Sequence, residues 1–201
     1  RKIYFQGLIN YARTFGKHDV GAMIVYNQEE TAISNPGTLF NSLPKRKQGL
    51  AGRITYGYGN RYLFEANFGY NGSENFAKGK RFGFFPSVAL GYVLSEENYW
   101  DPLKKVVSYF KIRGSYGLVG NDSDNTRFMY MSDISLSGAS YTTGADGQYT
   151  LSGPVYNRFE NPNITWETGK KLNVGFDLEF FNKLNIMFDW FREDRSGIFL
   201  E

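Results

Sequence analysis

The stretch Arg61-Tyr62-Leu63-Phe64-Glu65-Ala66-Asn67-Phe68-Gly69-Tyr70-Asn71-Gly72 sorts its side chains by parity. Tyr62, Phe64, Ala66, Phe68 and Tyr70 fall on one side of an extended chain, and Leu63, Glu65, Asn67, Gly69 and Asn71 on the other. Successive side chains of a strand point to opposite faces, so a period of two predicts a strand with one apolar face. The segment before it behaves in the same way. Leu50, Gly52, Ile54, Tyr56 and Tyr58 alternate with Ala51, Arg53, Thr55, Gly57 and Gly59. Only Asn60-Arg61 separates the two segments, which predicts a tight hairpin.

Working outward, the same pattern returns six more times. Val88–Leu94 and Phe110–Leu118 carry it, as do Leu172–Phe180 and Leu184–Trp190, joined by Phe181-Asn182-Lys183. Ile3–Arg13 and His18–Gln28 are weaker cases. Eight strands result, most of about ten residues. Their connections alternate in length. Thr14–Lys17, Asn60-Arg61 and Phe181–Lys183 are short; Glu29–Gly49, Asn71–Arg81 and Gly120–Thr165 are long; Ser95–Val107 is the one poor fit. In an up-and-down sheet alternate turns share an end, so tight turns gather at one end and long loops at the other. Outer-membrane barrels have this asymmetry.

Composition narrows the class. The chain has 201 residues, of which 18% are aromatic, with 23 Gly and 6 Pro. A sequence rich in rings and glycine favours strands and turns over helices and is not disordered. A net charge of +3 with one basic triplet, Lys45-Arg46-Lys47, offers no clustered nucleic-acid face. Cysteine is absent and His18 is the only histidine, so thiolate and multi-histidine metal sites are excluded. No run approaches the 18 or so apolar residues of a membrane helix.

Alternation alone fits a soluble β-sandwich as well as a membrane barrel. Two features favour the barrel. The polar face is rich in Gly, Asn and Ser, and rings cluster near strand ends at Tyr56, Tyr58, Tyr62, Tyr70, Tyr92, Phe180 and Trp190, where a membrane interface holds them. The expected fold is therefore all-β, a transmembrane antiparallel up-and-down β-barrel.

Ordered motifs then mark a resemblance. Arg53-Ile54-Thr55-Tyr56-Gly57-Tyr58, with Arg61-Tyr62 and Asn71-Gly72-Ser73, resembles SusC/RagA-type TonB-dependent transporters, Asn71 standing where Asp is usual. So do Phe85-Pro86-Ser87, Ser95-Glu96-Glu97, the run Lys111-Ile112-Arg113-Gly114-Ser115-Tyr116-Gly117 with Gly120-Asn121, Asn161-Pro162 with Trp166-Glu167, and Asn173-Val174-Gly175-Phe176-Asp177. The resemblance implies that residues 1–201 are about eight strands from the second half of a 22-stranded barrel, without plug or TonB box. It implies import of a glycan, oligosaccharide or peptide across a bacterial outer membrane, under a SusD-like lipoprotein lid and driven by the TonB complex through the plug. The missing initiator Met and signal peptide, and a last segment Gly197–Glu201 with no turn, agree with a piece of a longer protein.

On this reading Arg53, Glu65, Lys111, Arg113, Lys171 and Asp177 face the lumen or plug. In the long loop Phe128, Tyr130, Tyr141, Tyr149 and Tyr156 are expected to contact substrate or lid, because rings and hydroxyls suit sugars and peptides. No catalytic residue, metal or cofactor is expected. Counted as a calcium loop from Asp122, the sixth position is Arg127 rather than Gly and the twelfth is Asp133 rather than Glu. Two other readings stay open: a complete eight-stranded barrel acting as adhesin or structural protein, and a soluble β-sandwich binding module.

Overall fold

The computed structural model describes residues 1–35, 37, 39–122, 128 and 130–198, with Leu39 described by its backbone alone. Eight strands form one antiparallel sheet: β1 (Lys2–Phe15), β2 (His18–Thr31), β3 (Lys45–Tyr58), β4 (Tyr62–Ser73), β5 (Phe82–Val93), β6 (Val107–Asn121), β9 (Glu167–Phe180) and β10 (Leu184–Ser196). They follow chain order, except that β7 (Asp133–Thr143) and β8 (Tyr149–Arg158) form a separate ribbon between β6 and β9. The sheet does not close; β1 and β10 are its two edges. A complete eight-stranded barrel is thereby set aside.

The apolar side chains are the exposed ones. Phe64, Phe84 and Leu90 are 39%, 58% and 62% exposed, with no second layer over them. Among the described residues the buried large hydrophobics are few: Phe76, Val93, Phe128 and Trp166. A sandwich buries its apolar face against a partner sheet; here that face is bare. The opposite face is hollow and carries the small and charged residues.

The belt of apolar side chains crosses the sheet obliquely. Phe15, the lowest ring of the run in β1, is in register through β2 to β9 with Phe188 of β10. The run in β10 reaches down to Leu184, four residues nearer the short turns. Four residues are roughly 13 Å against about 34 Å for seven strand spacings, so the lower border slants by about 20°.

The strands are longer than the alternation suggested, and they grow at the long-loop end. β3 starts at Lys45 rather than Leu50, β6 runs to Asn121, and β10 runs to Ser196. Above the belt a ladder needs no apolar face, so hydrophobic periodicity does not mark it. Ion pairs take over there: Arg46–Glu30 at 2.9 Å and Lys2–Glu29 at 3.1 Å. The β3–β4 connection is Gly59-Asn60-Arg61, one residue longer than expected. Gly59 and Asn60 take φ values of 58° and 57°, and Arg61 N–H donates to the Tyr58 carbonyl at 3.0 Å. A turn of this hand needs positive φ at both centres, which Gly and Asn tolerate best.

Ser95–Val107, the misfit in length, lies at the short-turn end and is folded tightly. It holds two 3-10 turns, Leu94–Glu96 and Asn98–Trp100. Glu97 accepts from Arg61 Nη1 at 3.0 Å, Tyr62 Oη at 3.0 Å and Tyr92 Oη at 3.3 Å. The Ser-Glu-Glu motif is thus a rim clasp. At the other end Trp166 packs on Phe76 and Phe85, ring centroids 5.2 and 5.3 Å away, and donates from Nε1 to the Arg81 carbonyl at 3.2 Å. The Trp-Glu motif closes the loop base.

Candidate functional site

The hollow face is the candidate site. A concavity of about 700 Å³ opens on it, between β1 and β9. Small residues make the depression: Ala12, Gly21, Thr55, Gly57, Ala89, Gly91 and Ser115. Asp19, Glu65, Lys111 and Arg113 stand around it.

Arg53, Glu65, Lys111, Arg113, Lys171 and Asp177 share the hollow face of the sheet, and most are paired with each other. Arg53 Nη2 meets Glu65 Oε2 at 2.6 Å across the β3–β4 ladder, and Asn67 Nδ2 donates to the other carboxylate oxygen at 2.9 Å. Arg113 spans three strands. Its Nη2 lies 3.3 Å from Asp177 Oδ1 on β9 and 2.7 Å from Asp189 Oδ2 on β10. The register explains the reach: Arg113 faces Gly175, and Gly175 faces Asp189. A Cβ on Gly175 would stand 2.6 Å from Asp189 Oδ1. Glycine therefore keeps the path between the two charges open.

Lys171 meets Glu193 at 3.6 Å, Glu193 meets Arg195 at 2.6 Å, and Arg195 meets Glu167 at 3.8 Å. This ladder climbs the wall toward the long loops. Lys111 differs. Among the described residues no carboxylate stands within ion-pair distance of it, and its Cε lies 3.3 Å from where a Cβ of Gly91 would be. The sequence pattern named both partners of Arg53–Glu65 and Arg113–Asp177 but not Asp189, Glu193, Arg195 or Glu167. The alternation of Leu184–Trp190 already set Asp189 opposite the rings, whereas Glu193 and Arg195 lie beyond it, where β10 runs on to Ser196 in the same phase.

The expected loop residues separate into two groups. Phe128 is 6% exposed, with its ring 6.2 Å from Phe40 and 6.2 Å from Tyr130. Arg158 donates to the carbonyls of Phe128 and Met131, both at 3.2 Å. These residues anchor the loop base. Tyr141, Tyr149 and Tyr156 are 70%, 66% and 55% exposed on the β7–β8 ribbon. Gly120–Thr165 is therefore not a plain loop; most of it is a hairpin. Its outer half is two-faced. Ala139, Tyr141, Tyr149 and Leu151 share one side, and Ser140, Thr142, Thr150 and Ser152 the other.

Asp122 fixes the near end of that loop. Lys47 Nζ lies 2.6 Å from its Oδ2, and Asn75 Nδ2 donates to its carbonyl at 3.2 Å. Burial pushes the carboxyl up, but hydrogen bonds from Lys47 and Ser73 outweigh it and hold it below the ordinary aspartate value. The remainder of the calcium-like run, residues 123–127, lies outside the described residues.

No family model matches the chain. Over 193 residues it is 30% identical to TonB-dependent receptor P3 of Formosa agariphila, covering 95% of this chain and 18% of that protein. Over 157 residues it is 33% identical to TonB-dependent receptor SusC of Bacteroides thetaiotaomicron, covering 77% of this chain and 14% of that protein. The chain thus spans less than a fifth of the length of these curated relatives. In fold it is similar to the RagAB peptide transporter, with a TM-score of 0.75 and 18% identity over 97% of this chain and 23% of that one.

Proposed function

Because the chain belongs to the TonB-dependent receptors of the SusC/RagA type, proteins of the bacterial outer membrane, we propose that it is a wall segment of a barrel that imports a glycan, oligosaccharide or peptide. One observation supports this most: a single tilted sheet with bare rings on one face and a self-paired polar hollow on the other. That arrangement separates lipid from a wet lumen. Its work is passage and docking rather than bond chemistry, and we read the protein as a transporter, not an enzyme.

On this reading the wall charges have two tasks. Paired residues tie β3 to β4 and β6 through β9 to β10, and leave the wall nearly neutral. Lys111 and the small-residue depression receive the plug of the full protein, which couples the barrel to the TonB complex. The β7–β8 ribbon, standing at the long-loop end with exposed tyrosines, meets substrate or the SusD-like lid.

The test is genetic. Deleting the parent gene should abolish uptake of one labelled class, oligosaccharide or peptide, and restoring it should return uptake only in cells with functional TonB. Uptake that persists without TonB would overturn the transport reading.

A further inference from the structure

Charged side chains on the lipid face of the sheet are few, and their partners differ between its two ends. Toward the long loops Arg46 holds Glu30 at 2.9 Å, and Arg192 holds Asp194 at 3.0 Å. Toward the short turns stands Arg13. It follows Tyr11 in the outward phase of β1, and is exposed. Its guanidinium lies 4.7 Å above the Phe15 ring. Among the described residues no carboxylate lies within ion-pair distance of it; the nearby Asp19 is on the hollow face, accepting from Thr14 Oγ1 at 2.6 Å.

An arginine on the lipid face is costly at mid-membrane and tolerable near the interface. Arg13 lies two residues before the end of β1, at the turn-ward margin of the ring belt, where the headgroups begin. The groups around it suit a headgroup. His18 pairs with Phe15 across the β1–β2 turn, and its Nδ1 lies 2.8 Å from Tyr56 Oη. Tyr56 is in register with Arg13 through Val20. A planar cation, an imidazole and a phenol thus line one edge of the ring belt on neighbouring strands, and among the described residues no carboxylate pairs with the cation. Arginine matches phosphate with two parallel N–H bonds.

We propose that Arg13, with Phe15, His18 and Tyr56, binds the phosphate headgroup of an anionic phospholipid in the leaflet at the short-turn end. The proposal rests on the outer-membrane barrel reading. Arg13 supplies the charge, Phe15 holds the guanidinium flat, and the His18–Tyr56 pair offers a hydrogen bond to the same phosphate. The site would tie the turn end of β1 and β2 to the membrane.

The experiment uses the full-length receptor, purified in maltoside micelles free of phosphate. Thermal unfolding is followed with added phosphatidylglycerol, with a phosphate-free glycolipid, and with inorganic phosphate. Phosphatidylglycerol should stabilise the wild type, and Arg13→Leu should retain it roughly fivefold less well, the factor expected of one basic residue at an anionic surface. Equal retention by both forms, or none by either, overturns the site, and so does a response to inorganic phosphate that matches the lipid's. If Arg13→Leu does not assemble, Arg13→Gln replaces it, and native mass spectrometry counts the bound lipid; an unchanged count overturns the proposal. Heat-modifiable migration of the same samples reports barrel folding separately, so failure of the lipid site and failure of the barrel reading are told apart.

Discussion

Gly175 shows how one missing side chain organises the hollow face of the sheet. Arg113 reaches Asp189 only by passing over β9, and the residue it passes is Gly175. Adding a methyl there would also press on the Phe188 carbonyl, 2.6 Å from the new Cβ. Gly175→Ala should lower the urea midpoint of the folded receptor in micelles, by roughly 1–3 kcal/mol as overpacking typically does. Combined with Asp189→Asn the loss should be less than additive, because both remove the same pair. Arg113→Ala tests the plug-facing assignment instead. It strands Asp177 and Asp189, and hydrogen exchange of plug amides in the full receptor should rise; unaltered plug protection would refute the assignment. Asp122 gives a pH signature. Its folded pKa is lowered, so its contribution is complete above the ordinary aspartate value and fades as pH falls through the folded one. Protease cleavage near Asp122 should increase in acid below about pH 4, and Asp122→Asn should make cleavage equally fast at neutral pH.

At the scale of elements, the β7–β8 ribbon is the part most at odds with its surroundings. A lone two-stranded ribbon is marginal in water. This one exposes Tyr141, Tyr149 and Leu151 on one side and hydroxyls on the other. A partner on the ring side would stabilise it. The double variant Tyr141→Ser, Leu151→Ser should leave barrel insertion and heat-modifiability intact while cutting recovery of the lid lipoprotein on the tagged receptor about tenfold, the loss of one modest hot spot. Equal recovery would direct attention to other loops. The ribbon was invisible to sequence reading because its alternation is diluted by serine and glycine and broken by register shifts near Ser135 and Ala139. By contrast the eight wall strands were legible, since each must present rings every second residue to lipid. Their upper ends were not, because Arg46, Glu30 and Arg192 pair above the lipid and follow no hydrophobic period.

Taken whole, the molecule is a curved wall with two open edges, β1 and β10. Unpaired strand edges recruit further strands. The 201-residue chain alone should therefore need detergent, self-associate through those edges, and carry no solute in vesicles. A detergent-free monodisperse monomer by light scattering would overturn the membrane reading. The amino-acid sequence by itself determined the strand class, the face each side chain takes, the short and long ends, and the family, because a period of two and a set of ordered motifs are local properties. Only the tertiary structure decided which charges meet. Arg113 and Asp189 are 76 residues apart, and they pair because β9 intervenes with a glycine at one register position. The same holds for the oblique belt, which no single strand contains: it is set by the register accumulated over seven strand pairs, and it is what separates Arg13 at one membrane border from Arg192 at the other.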